Sequence, residues 1–237
     1  FDDEVQNLLE QISNNVMDFN ILEITGMGAQ EIKHSNLLSW LFGNNEHRLE
    51  YKIFEEFLKK VIEYNEEVEY IEDLKHYVYL PSKDRDLTIY REKKNIDLLL
   101  IDESNKIVVA IENKVYAAER SEGDDGGQLK KYFEYVDSNY NKDYKKFFIY
   151  LTIDNSYPSE DNKDIWLLAS HQMIGEAIEQ LLNSKDVSDR TELILSSYID
   201  LLKRRNIMAD KNIEELCEKI WSKNAKEIGR ASCRERV

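Results

Sequence analysis

Apolar positions open the chain at helical intervals. From Asp2 to about Glu23, Val5, Leu8, Leu9, Ile12, Val16 and Phe19 recur every three or four residues, which predicts one amphipathic helix. Gly26 and Gly28 then punctuate the chain. A second helix is predicted from about Ala29 to Phe42, with Leu37, Leu38, Leu41 and Phe42 as its buried stripe. A third, from about Tyr51 to Glu63, carries Phe54, Phe57, Leu58 and Val61. The acid-rich stretch Glu63 to Asp73 reads as a solvated helix end and loop. Beyond it the period shortens. His76 to Leu80 alternates enough for a strand stopped by Pro81, and Leu87 to Tyr90 reads as another. Two apolar runs, Ile96 to Ile101 and Ile107 to Ile111, flank an Asp-Glu-Ser-Asn-Lys turn and predict a buried hairpin. A helix starts near Gly127 on Leu129, Phe133 and Val136, followed by strands at Phe147 to Ile153 and Ile165 to Leu168. Helices Gln172 to Leu182, Asp189 to Arg205 and Asn212 to about Ile228 complete the chain. Helices, a strand group, a helix, a strand and more helices describe an α/β core with helical flanks.

The central hairpin carries the chemistry. Asp97 opens its first strand, and Glu112 and Lys114 close its second. The start of one hairpin strand lies near the end of the next, so the two carboxylates are expected close together, as an oxygen site for Mg²⁺. Side chains alternate along a strand, so Glu112 and Lys114 share a face and a metal and an ammonium would act on one phosphate. The plainer reading of the same residues is solvated strand ends and a surface lysine. Glu31 lies one turn from Ser35 on the face leading to Leu38, and can point inward or simply complement the helix dipole. His34 reads as structural or exposed, since no second His lies at metal spacing. Arg91, Lys93 and Lys94 precede Asp97, as a phosphate contact or a charged strand connection. Gln128 and Tyr132 lie four apart near a helix N-terminus, the end that favours anions. The loop Ala118 to Gly127 has no phosphate-loop spacing, and Lys203-Arg204-Arg205 suits a helix C-terminus.

Composition changes this picture in a few places. No run approaches a membrane span and no signal peptide opens the chain, so a cytoplasmic protein is expected. Two cysteines, Cys217 and Cys233, make no disulfide framework or cysteine-based zinc site. The start at Phe1 suggests missing N-terminal sequence, and residues 229–237 (GRASCRERV) read as a vector-derived tail. One domain is expected over 1–228, with an N-terminal helix in 1–28, a core in 29–168 and C-terminal helices in 169–228. The formal charge of −15 speaks against non-specific nucleic-acid affinity, which rests on neutralising phosphates. Its distribution softens the objection: residues 1–82 carry a net −11, whereas residues 83–146 carry only −1.

An acid on a helix, an Asp, a Glu-x-Lys on the next strand and a Gln-x-x-x-Tyr on the following helix form an ordered set. Through EIKHSNLLSWLF (31–42), NIDLLLIDESNKIVVAIENK (95–114), GGQLKKYFEYV (126–136) and FFIYLTID (147–154), the chain resembles the PD-(D/E)XK nuclease superfamily. That superfamily is the fold group of many restriction endonucleases, and the chain is most similar to a bacterial branch known only by the superfamily's name. The resemblance covers most of residues 29–205. It implies a restriction-endonuclease-like αβββαβ core with a mixed central sheet, and Mg²⁺-dependent phosphodiester hydrolysis with Mn²⁺ as a substitute. DNA is the expected substrate ahead of RNA, in defence or repair, with a homodimer or a partner subunit as possible assemblies. Carried over by residue, Asp97 and Glu112 would bind the metal with the Asn113 carbonyl. Lys114 would position or deprotonate the attacking water, Glu31 would complete the shell, and Gln128 and Tyr132 would steady the site. Lys94-Asn95-Ile96 stands where many relatives place an arginine, and the name-giving Pro is absent before Asp97. The acidic Ser-Glu-Gly-Asp-Asp-Gly-Gly loop also departs from a DNA-facing groove. A catalytically silent binding or regulatory module on the same fold, or an accessory subunit needing a partner, are the rival readings.

Overall fold

Five strands form one mixed sheet in the order β1-β2-β3-β4-β5: β1 Leu87–Lys93, β2 Ile96–Asp102, β3 Ile107–Lys114, β4 Lys145–Thr152 and β5 Trp166–Ser170. In this computed structural model, residues 3–17, 19–115, 125–158, 162–184 and 187–234 are described. The first three strands run antiparallel to their neighbours, whereas β3, β4 and β5 are parallel. Pairing of Lys93 with Ile96 leaves Lys94 and Asn95 as a two-residue turn, both at positive φ as a tight hairpin of this twist requires. The basic cluster therefore caps the β1–β2 hairpin.

The sheet's two faces bury different partners. Leu98, Leu100, Val109, Ile111, Ile149 and Leu151 point into the larger core, built from α3 Glu31–Phe42, α4 Lys52–Tyr64, α5 Ile71–Val78, α7 His171–Asn183 and α8 Asp189–Arg204. Each such side chain contributes roughly 1.5–3 kcal/mol through burial. Leu99, Val108, Ala110, Phe148 and Tyr150 face the other way, onto α6 Asp125–Asn139. The sequence α3-β1-β2-β3-α6-β4 gives the expected αβββαβ order, with α4 and α5 inserted after α3 and β5 added beyond β4.

Several expectations change. His76 to Leu80 is not a strand: Ile71, Leu74, Tyr77 and Val78 share one buried face of α5, at helical spacing. The acidic stretch before it is loop only to Tyr70. The first predicted helix is two, α1 Asp3–Met17 and α2 Ile21–Ile24. Asn20 breaks it by accepting from the Leu22 and Glu23 amides while its Nδ2 donates to Ser197 O and Asp200 Oδ2 on α8. Phe19, counted on the apolar face, is exposed, and the side chain of Val16 lies outside the described residues. Helix α6 starts at Asp125, and α9 spans Lys211–Arg234. Of the acidic loop, residues 116–124 lie outside the described ones.

One buried cation holds α5 in place. Arg85, its side chain 1% exposed, donates from Nη2 to the carbonyls of Tyr77, Val78 and Leu80, and from Nη1 to Glu55 on α4 at 2.5 Å. It thus satisfies helix-end carbonyls that have no partner within the helix. Replacing Arg85 by Met should cost about 3–5 kcal/mol, because Glu55 loses its counter-charge and the carbonyls lose their donor. The urea midpoint would fall accordingly, and an unchanged midpoint would refute this role.

Candidate active site

The carboxyl ends of the parallel strands, with the adjoining start of β2, gather the predicted residues. Glu112 and Lys114 project from β3 on the α6 face, and Lys114 Nζ lies 2.7 Å from Glu112 Oε1. Gln128, on the first turn of α6, donates from Nε2 to the same Glu112 oxygen at 3.1 Å and also to the Tyr132 hydroxyl. The Tyr132 hydroxyl donates in turn to Asn95 O, which ties α6 to the β1–β2 turn. Glu112 Oε1 is doubly satisfied. Its Oε2, on a residue 1% exposed, is buried without a hydrogen-bond partner among the described residues.

Asp97 meets this group from β2. Regular β2–β3 pairing is last made at Leu98 and Ile111, and beyond it the Asn113 amide donates to Asp97 Oδ2 at 2.7 Å. Glu31, the first residue of α3, accepts from the Val115 amide at 3.0 Å. A carboxylate from β2 and another from α3 therefore replace backbone pairing along one edge of the β3 terminus.

Burial raises the pKa of Glu112 to about 8, with the Asp97 charge adding to the rise and Lys114 opposing it. Asp97 is raised to about 6, chiefly by burial and then by Glu92 and Glu31, against the pull of the Asn113 amide and Lys114. The two carboxyls titrate as a pair that favours holding a proton. Burial also raises the Tyr132 hydroxyl, so it remains a neutral donor.

A hydrogen-bonded cluster lies behind the site, on the opposite face of β3. The Asn113 side chain donates from Nδ2 to Ser35 Oγ at 3.1 Å and to Glu31 O at 3.4 Å, while its Oδ1 meets His171 Nε2 at 2.8 Å. His171 Nδ1 lies 2.9 Å from the Tyr198 hydroxyl, itself 3.5 Å from His34 Nδ1. Desolvation holds the pKa of His34 down to about 4 and that of His171 well below the usual imidazole value, so both rings are neutral. His34 fits its structural reading. No local spacing in the sequence links His171 and Tyr198 to β3, whose Asn113 lies 58 residues before His171; the signal that the sequence does carry is the position of His171 just past the carboxyl end of β5. Of the basic cluster, Arg91 donates to Asn36 on α3 and Lys93 lies 3.8 Å over the Tyr90 ring.

A family model for the PD-(D/E)XK nuclease superfamily matches residues 19–222. The chain belongs to the PD-(D/E)XK nuclease superfamily. Its sheet and flanking helices are those of the restriction-endonuclease-like fold. No curated protein and no solved structure matches the chain. Membership supports a nuclease in general, with nucleic acid as substrate class, and PD-(D/E)XK nucleases generally use divalent metals. Among the described residues no three His, Cys, Asp or Glu side chains gather tightly enough to hold an ion, and no helix is long and apolar enough to cross a membrane. The residues present still fit a hard cation. Mg²⁺ takes one or two carboxylates and fills its shell with water and substrate phosphate, and Glu112, with one oxygen unpartnered among the described residues, together with Asp97, whose charge raises its pKa, supplies such a donor set.

The raised carboxyl pKa values set a pH dependence for the metal-free protein. Between the ordinary carboxyl value of 4.5 and about 8 the folded state binds more protons than the unfolded chain. The contribution of these carboxyls to stability must then fall as pH rises through that window, while the buried His34 and His171 act the other way below about pH 6.5. In chelator, the wild-type thermal midpoint should drop between about pH 6.5 and pH 8, above the range in which the buried histidines oppose the trend, and Glu112→Gln should flatten the drop. Parallel profiles for the two proteins would show that Glu112 is not the group responsible.

Proposed function

We propose that this chain is a Mg²⁺-dependent nuclease that hydrolyses phosphodiester bonds in DNA, with Mn²⁺ able to replace Mg²⁺. The observation that supports it best is the buried Glu112 carboxyl group, one oxygen held by Lys114 and Gln128 and the other without a hydrogen-bond partner among the described residues, with Asp97 near enough to raise its pKa. A buried carboxylate left so is costly for a fold to keep, and divalent-metal chemistry gives a reason to keep it. Asp97, Glu112 and the Asn113 carbonyl would hold the ion, with Glu31 at the margin. The Asn113 carbonyl points to the same strand edge as the amide that reaches Asp97. A bound divalent ion supplies charge stabilisation at the phosphoryl oxygen and lowers the pKa of water.

The chain's own groups do the rest. The Lys114 ammonium, on the same face as Glu112, offsets charge that builds on the phosphate under attack and orients the water that attacks it. Gln128 fixes the rotamer of Glu112, and Tyr132 fixes Gln128 while holding the Asn95 carbonyl. Through that link the Lys93-Lys94 hairpin is set beside the site, where it would meet the phosphate backbone. The likeness to restriction endonucleases favours DNA as substrate, and defence or repair as the setting.

Plasmid cleavage with Mg²⁺ tests this reading, with single-stranded DNA and RNA as parallel substrates. Glu112→Ala and Asp97→Ala should abolish Mn²⁺ binding in calorimetry together with cleavage. Lys114→Ala should bind Mn²⁺ yet cleave roughly 10²–10⁴-fold more slowly. Equal cleavage by all four proteins would mean that a contaminant cuts the plasmid.

A further inference from the structure

We infer that His171 is a positioning residue for the nuclease site, acting through the side chain of Asn113 from the far face of the sheet. The inference rests on the nuclease reading above and extends it to residues outside the Asp, Glu and Lys set.

The direction of every bond in the cluster can be assigned. Glu31 O accepts only, so the amide end of Asn113 facing it is the nitrogen, and Oδ1 faces His171. His171 must then donate from Nε2, which leaves Nδ1 to accept from the Tyr198 hydroxyl. The Tyr198 oxygen faces His34 Nδ1 in turn. All four residues are fully or almost fully buried, with His34, Asn113, His171 and Tyr198 each 0% exposed. A neutral donor chain of fixed polarity thus ends on the one residue that lies between Glu112 and Lys114.

That residue needs holding. On its β2 edge the end of β3 has run past its last regular pair, and the Asn113 and Val115 amides meet carboxylates instead of backbone carbonyls. On the α6 face Gln128 and Lys114 engage Glu112. From the other face the Asn113 side chain grips this strand end, adding to the β4 pairing that runs to Lys114 and Thr152, and His171 and Ser35 hold its two amide ends. A peptide plane turned at Asn113 would move the amide from Asp97 and swing Glu112 and Lys114 together. The clamp joins α3, β3, α7 and α8 at the point where a shift of the strand would alter the metal donors.

The test compares His171→Leu, which has no donor, with His171→Gln, whose amide nitrogen can reach Asn113 Oδ1. Tyr198→Phe removes a single oxygen and serves if the leucine variant does not fold. Hydrogen exchange of the Asn113 amide is read against the Ile111 amide in the same strand, beside Mn²⁺ affinity by calorimetry and kcat and KM on plasmid DNA. In His171→Leu we expect exchange to rise at Asn113 but not at Ile111. Mn²⁺ affinity and kcat should fall about 10–100-fold, with KM changed less than about twofold. His171→Gln should recover most of each loss, and Tyr198→Phe should show the same pattern more weakly. Exchange rising equally along β3, or unchanged Mn²⁺ affinity and kcat in a folded His171→Leu, would reduce the cluster to a structural role while leaving the nuclease reading intact. A wild-type protein that neither binds Mn²⁺ nor cleaves would overturn the nuclease reading first, and this role with it.

Discussion

Two carboxyl groups on one face of a sheet, Glu112 buried and Asp97 partly so, are the constraint around which the surrounding structure is arranged. Burial pushes Glu112 and Asp97 toward their protonated forms, helped at Glu112 by the Asp97 charge and at Asp97 by Glu92 and Glu31, so the ion-free fold disfavours the charged state both would hold in water. Lys114 relieves part of this, but it occupies only one oxygen of Glu112. Removing a partner from such a buried group costs more than the pair itself contributes. That asymmetry accounts for the number of neutral donors around the site. Gln128, the Asn113 amide and the Val115 amide each satisfy a carboxylate oxygen without adding charge.

The same arrangement accounts for the irregular end of the β2–β3 ladder. If regular pairing continued past Leu98 and Ile111, backbone carbonyls of β2 would take the amides that now meet carboxylates. Asp97 would then have no amide to accept from. On this edge the ladder ends where side-chain acceptors take over, while the opposite edge stays paired with β4 as far as Lys114 and Thr152, and side chains on α3, α6 and α7 complete the hold on the strand end. These helices come from sequence segments far apart, so no local stretch of chain can hold the site alone.

How much of this could be read beforehand follows from what each feature depends on. Strands β2, β3 and β4 are continuous apolar runs because both of their faces are buried, and such runs stand out in sequence. Glu112 and Lys114 share a face by strand geometry alone, and Gln128 and Tyr132 by helix geometry. The misread strand at His76 to Leu80 shows the limit: four or five residues can satisfy both periods, and the helix there is selected by burial of Ile71 and Leu74 and by Arg85 at its end. Asn20 broke a helix whose apolar spacing continued through it, because its partners Ser197 and Asp200 lie on α8, about 180 residues later. The His171–Asn113 contact was invisible for the same reason. It joins two turns of chain that only the completed sheet brings together.

The acidity of the chain is less of an obstacle to a nucleic-acid substrate than its total suggests. The segment with a net charge of −11, residues 1–82, forms α1 to α5. Of these, α3, α4 and α5 pack on the larger core, the face of the sheet opposite the one that Glu112, Lys114 and α6 share. Stacked layers lie about 10 Å apart, and the Debye length at physiological salt is about 8 Å. Charges on the outer surfaces of those helices are therefore heavily screened at the site, where Glu31 is the acid of that segment that acts at short range, beside Lys114 and the Lys93-Lys94 pair. What a phosphate approaching Glu112 meets is set by the near-neutral central segment, and a divalent ion held there would make that local field positive.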